Sequence, residues 1–170
     1  MSDATITLPD PMGMITVRGD LDGIGTAVTA VTGAEMPGRR LSAEGARGRV
    51  HWMSPDELLV TCDHDAAPGL AADLTEALAD RFATVAVVSD ARVVIDLTGP
   101  DADDVLATLT PADLTALAPT EVRRTRLAQI AAAFWRIEGG YRIVAFRSMA
   151  TYLHDILANA TGAHPAVQDR

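Results

Sequence analysis

Trp135-Arg136-Ile137-Glu138-Gly139-Gly140-Tyr141-Arg142-Ile143-Val144-Ala145-Phe146 decides the fold of this 170-residue chain. β-rich runs at 127–137 and 141–146 flank Gly139-Gly140, a pair that signals a hairpin turn. Ser148 then offers a cap for a helix whose apolar face reads Met149, Tyr152, Leu153, Ile156, Leu157 and Ala160. An ungapped shift of 83 positions, from Trp135 back to Trp52, lays the same plan over an earlier stretch. Tyr141 falls on Leu58, Ile143 on Val60, Ala145 on Cys62, Leu153 on Leu70 and Leu157 on Leu74. The two copies lie near 50–78 and 133–161, each reading Trp, turn, strand, amphipathic helix. A single hairpin with one helix cannot bury the apolar face of its sheet, whereas two copies packed together can. The expected class is therefore α+β, with duplicated strand–strand–helix subdomains sharing a core in a single domain over 1–170.

Working outward, residues 3–18 read as an extended start, and 22–32 as a short helix capped by Gly33. Residues 33–48 hold four glycines, Pro37, Arg39, Arg40 and Arg47, and read as a long loop. Asp65 offers a helix cap ahead of Pro68, and Leu70, Leu74, Ala77 and Leu78 make one helical face. Ala83 to Val88 and Val93 to Leu97 are β-rich, with Asp90-Ala91 suiting a turn between them. Gly99-Pro100 opens a further helix, whose first turn holds Asp101, Asp103 and Asp104. The polar tail over 162–170 is expected to fray.

Composition narrows the function classes. Hydrophobic residues make up 48% of the chain, enough for a packed core. The formal net charge of −9 disfavours nucleic acid and anionic membrane surfaces as partners. No apolar run approaches the roughly 20 residues that span a bilayer. The start Met1-Ser2-Asp3 has no basic region followed by an apolar run, so it does not read as a secretory signal. A single cysteine, Cys62, forbids an internal disulfide and fits a cytoplasmic protein.

No constellation of reactive residues stands out. Gly19, Gly23 and Gly25 resemble a phosphate loop but lack its third glycine, so a turn into a helix explains them. His51, His64, His154 and His164 show no metal-ligand spacing and read as surface or loop histidines. Cys62 shares a strand face with Leu58 and Val60, as a buried, inert thiol does. Helix-dipole placement accounts for Asp101, Asp103 and Asp104 without a metal. Arg123, Arg124 and Arg126 form one basic cluster, read as a solvated loop neutralising acids such as Glu121 or as a contact to an acidic partner, ahead of a grip on the glutamate tail of a folate. No catalytic, cofactor-binding or metal-binding residue is assigned.

The ordered motifs resemble a known family. Ser89-Asp90-Ala91-Arg92, Thr98-Gly99-Pro100-Asp101-Ala102, Pro111-Ala112-Asp113-Leu114, Thr125-Arg126-Leu127-Ala128-Gln129, Arg147-Ser148 and Tyr152-Leu153 follow Trp52-Met53-Ser54-Pro55-Asp56-Glu57. This series resembles the gamma subunit of heterotetrameric sarcosine oxidase, over about 34–160. Leu58 stands where that family commonly has an aromatic, and Thr110 where it has a cysteine. The resemblance implies a fold like the folate-binding domain of aminomethyltransferase, the glycine cleavage T-protein. It also implies a non-catalytic structural subunit of a complex that oxidatively demethylates sarcosine to glycine, with hydrogen peroxide as product and one-carbon transfer to tetrahydrofolate. Implied partners are the alpha subunit chiefly, with beta and delta; FAD, FMN, NAD and tetrahydrofolate are implied to sit in those partners, none in this chain. Two other classes stay open: a stand-alone folate-binding aminomethyltransferase-like protein and an orphan interaction module.

Overall fold

A computed structural model describes residues 2–162. Its first elements are β1 (Thr5–Thr7), β2 (Met12–Gly19), α1 (Leu21–Thr32), β3 (Ser42–Gly45), β4 (Gly48–Ser54), β5 (Glu57–Asp63), α2 (Ala67–Ala77) and β6 (Ala83–Val87). They continue with β7 (Arg92–Thr98), α3 (Ala102–Leu109), β8 (Val122–Leu127), β9 (Ile130–Ile137), β10 (Gly140–Phe146) and α4 (Ala150–Thr161). The class is α+β, with two antiparallel sheets and four α-helices among the described residues. The chain divides into two compact units. Among the described residues, the N-terminal unit takes Asp10–Asp90 and Thr120–Val122, and the C-terminal unit takes those through Pro9, Ala91–Pro119 and those from Arg123 onward.

In the N-terminal unit the sheet order is β3-β4-β5-β2-β6. Alternation along its strands sends Ile15, Val17, Val50, Leu58 and Val60 to one face, where Ile24 and Val28 of α1 and Leu70 and Leu74 of α2 cover them. α1 ends as the sequence predicts, at Gly33 in the left-handed region with φ 75°. The segment read as a loop from 33 to 48 is partly ordered as β3, which pairs with β4 from Ser42↔His51 to Gly45↔Gly48.

In the C-terminal unit the order is β8-β9-β10-β7-β1. Ile95, Leu97, Phe134, Tyr141 and Ile143 form the apolar face, under Val105 and Leu106 of α3 and Leu153 and Leu157 of α4. The Phe134 and Tyr141 rings meet edge to face, with centroids 5.8 Å apart. Each fully buried side chain of this kind contributes about 1.5–3 kcal/mol. Each unit has its own buried apolar cluster, in which two helices cover the sheet.

Both repeat stretches run strand, turn, strand, 3-10 turn, helix: β4–β5–α2 and β9–β10–α4. Their registers differ by one residue. In the first copy Val50 pairs with Val60, and in the second Phe134 pairs with Ile143. Val60 and Ile143 lie 83 positions apart, Val50 and Phe134 84. A bulge between Trp52 and Ser54 inserts the extra residue. A one-residue slip flips every side chain on the strand. Trp52 therefore lies on the helix-covered face with Val50, while Trp135 lies on the opposite face, across from Arg142. The ungapped match of the two tryptophans is not a structural equivalence; His51 is the position that corresponds to Trp135.

Other local expectations are corrected by long-range pairing. The turn read at Asp90-Ala91 is present at Ser89–Ala91, but the strands it joins pair elsewhere: β6 with β2, and β7 with β10 and β1. Arg123, Arg124 and Arg126 lie on the strand β8, not in a loop. Asp65 and Ser148 fall within 3-10 turns rather than capping helices. Tyr152 is 38% exposed instead of buried in its helix face. The tail expected to fray lies outside the described residues beyond Gly162.

Candidate functional site

Each helix-free sheet face carries a buried polar cluster. In the N-terminal unit, alternation places Ser42, His51 and Thr61 on that face of β3, β4 and β5. Ser42 Oγ stands 2.8 Å from His51 Nδ1, and Thr61 Oγ1 3.1 Å from Nε2. His51 has no exposed surface at all. Burial, reinforced by the Arg49 charge, pushes its pKa down to about 3. The surface or loop reading of His51 is thus overturned, because an imidazole flanked by two hydroxyls satisfies both ring nitrogens and can be buried neutral. Ser42 and His51 make a serine–histidine contact that no sequence spacing signalled. It is a poor nucleophile–base pair. A general base works best with a pKa near the operating pH, and burial moves this imidazole well away from it.

The corresponding face of the C-terminal unit holds an ion pair. Arg142 donates from Nε to Asp96 Oδ1 at 2.8 Å and from a terminal nitrogen to Oδ2 at 2.6 Å. This two-point geometry suits guanidinium and carboxylate and raises the Arg142 pKa. Trp135, 5% exposed, lies beside Arg142. At the sheet end, Asp103 accepts hydrogen bonds from the Tyr141 hydroxyl and from Arg136. Burial, then the bond to Asp103, raises the Tyr141 pKa. Asp103 thus has a partner role beyond the helix dipole, while Asp101 accepts from the Asp3 amide at 2.7 Å.

The remaining predicted positions are scattered. Cys62 is half-buried, and burial followed by the Asp63 charge raises its pKa, away from a reactive thiolate. His64 and His154 are exposed, each beside the following aspartate, and His164 lies outside the described residues. Gly23 and Gly25 lie within α1; a Cβ on Gly25 would stand 2.9 Å from the Met36 side chain, which packs directly against the helix there. Arg124 and Arg126 are exposed and Arg123 is half-buried. Among the described residues, no three His, Cys, Asp or Glu side chains converge as a metal site needs. None of the described helices is long and apolar enough to cross a membrane.

Two recesses open on the N-terminal unit. One, of about 520 Å³, is lined by Leu21, Gly25, Met36, Pro37 and Trp52 among others. The other, of about 420 Å³, lies between Arg18, Asp20, Asp56 and Phe82. Phe82 is fully exposed, an unusual setting for a phenyl ring. Sequence periodicity did not mark it, since it falls in the turn between α2 and β6.

No family model matches the chain, and no curated protein matches it by sequence. Among solved structures, a chain of heterotetrameric sarcosine oxidase from Corynebacterium sp. U-96 is 27% identical, with a TM-score of 0.86 over 96% of this chain and 87% of that one. Glycine cleavage system aminomethyltransferase T from Bartonella henselae is 16% identical, with a TM-score of 0.71 over 92% of this chain. The chain spans 46% of that aminomethyltransferase's length. The gamma-subunit-like character seen in the motifs is thus matched in three dimensions by a chain of the sarcosine oxidase heterotetramer.

Proposed function

We propose that this chain is the non-catalytic, gamma-type structural subunit of a sarcosine-oxidase-type complex. The observation that carries the reading is the near end-to-end likeness, at 27% identity, to one chain of such a heterotetramer. The local chemistry agrees with it: burial holds the His51 imidazole of the Ser42–His51 contact well below its ordinary basicity, and the Cys62 thiol is pushed away from its reactive form. On this reading the assembly oxidatively demethylates sarcosine to glycine in the cytoplasm. An alpha-type flavoprotein is the main partner, with beta and delta subunits completing the complex. FAD, FMN, NAD and tetrahydrofolate reside in those partners. The likeness to aminomethyltransferase is one of fold and brings no folate site to this chain.

Co-expression with an alpha-type flavoprotein subunit, followed by size-exclusion chromatography, tests the proposal. A stoichiometric co-eluting complex is expected, and independent elution of the two chains at micromolar concentration overturns it. Within the complex, His51→Ala and Cys62→Ala are expected to leave turnover per assembled complex within a few-fold, whereas losing a catalytic acid or base costs about 10²–10⁴-fold. A fully assembled variant that loses a hundredfold in rate would mark a catalytic residue in this chain.

A further inference from the structure

The two sheets present four edges, and three of them are protected. β1 is only three residues long, and β3 has four residues and carries Glu44. β8 carries Arg123, Arg124 and Arg126. Short edges and edge charges are the usual guards against strand addition. β6 differs: Ala83-Thr84-Val85-Ala86-Val87 contains no charge and no proline, and its pairing with β2 shows no bulge.

The hydrogen-bond phase of β6 shows what its open side offers. The Val88 amide donates to the Met14 carbonyl at 2.7 Å. Antiparallel pairs alternate between bonded and non-bonded positions, so Ala86 and Thr84 face β2. The N–H and C=O groups of Val85 and Val87 turn outward, where no further strand of the sheet lies among the described residues. Val87 is 46% exposed, and the fully exposed Phe82 immediately precedes the strand. An aromatic anchor beside an open, uncharged edge is the arrangement by which a sheet accepts an added strand.

Charge selects among occupants. The recess beside Phe82 contains Asp20 and Asp56, and its Arg18 is already held by Asp56 at 2.8 Å. Asp80 lies two residues before Phe82, next to Arg81. A chain of net charge −9 repels a second copy of itself and attracts a basic partner.

We propose that β6 is completed by an extended strand of a different polypeptide, uncharged and apolar where it pairs, with a basic side chain beside Phe82. The inference rests on the functional reading above only in expecting a partner. The test is amide hydrogen exchange on the assembly purified from its host through a tag on this chain, compared with the chain purified alone. In the lone chain the Val85 and Val87 amides exchange fast, while those of Thr84 and Ala86 are slow. In the assembly the Val85 and Val87 amides slow by roughly tenfold or more. Val87→Pro, which removes an outward donor without touching the β2 ladder, and Phe82→Ser each weaken the assembly. An assembly with unchanged exchange at both valines overturns the proposal. So does recovery of a lone monomer, or of an assembly made only of copies of this chain. The functional reading fails separately: a protected assembly without a flavin-binding subunit sinks that reading and keeps the added strand. A flavoprotein assembly without protection does the reverse.

Discussion

The two units share a strand order and a helix arrangement, yet their helix-free sheet faces carry opposite solutions to the same burial problem. The N-terminal unit buries a neutral imidazole between two hydroxyls, Ser42 and Thr61. The C-terminal unit buries a charged pair, Asp96 with Arg142, next to Trp135. The Trp52–Ser54 bulge also turns the two tryptophans to opposite faces. Duplication therefore constrains the apolar, helix-covered face, because both copies must fill it with similar volume. It leaves the other face free to change chemistry, provided each polar group finds a partner.

The largest effect expected is at the tryptophans. Trp135→Ala removes a buried indole and is expected to cost about 3–5 kcal/mol in urea unfolding. Trp52, half-buried above α1, is expected to cost roughly half as much. Equal losses would break the assignment of the two rings to different environments. Next, Asp96→Asn leaves the Arg142 charge without its counter-ion and is expected to cost about 3 kcal/mol. An unchanged urea midpoint would show that the ion pair contributes nothing.

The third effect depends on pH. The folded-state pKa of His51, about 3, lies below its ordinary 6.5. As pH falls below 6.5 the unfolded chain takes up a proton that the folded chain refuses. Stability fully present above 6.5 is therefore lost progressively down to about pH 3, by at most about 1.4 kcal/mol per pH unit. His51→Gln is expected to flatten that part of the stability–pH curve, while Asp96→Asn leaves it in place. The smallest effect is at Thr16, whose buried Oγ1 has no hydrogen-bond partner. Thr16→Val is expected to be neutral or to stabilise by up to about 1 kcal/mol. A clear destabilisation would mean that the hydroxyl is satisfied in solution.

Local periodicity made the repeat hairpins, the α1 cap at Gly33 and the apolar faces of α2 and α4 legible. These depend on contacts a few residues apart, and their signals lie within a single window of sequence. The candidate interface was less so. Phe82 sits in a turn that no period marks, and an unguarded edge is visible only once the neighbours of every strand are known. His51 was misread for the same reason: its partners Ser42 and Thr61 become neighbours only when β3, β4 and β5 pair.

The sequence by itself determined the α+β class, the duplicated strand–strand–helix plan and the likeness to a sarcosine oxidase subunit. Tertiary structure alone decided which sheet each edge strand joins. β1 precedes β2 in the chain yet pairs with β7, and β6 precedes β7 yet pairs with β2. It alone decided, too, that a bulge sends Trp52 and Trp135 to opposite faces. Pairing and register are set by which distant strands best bury their apolar rows together, and that energy belongs to no single stretch of the chain.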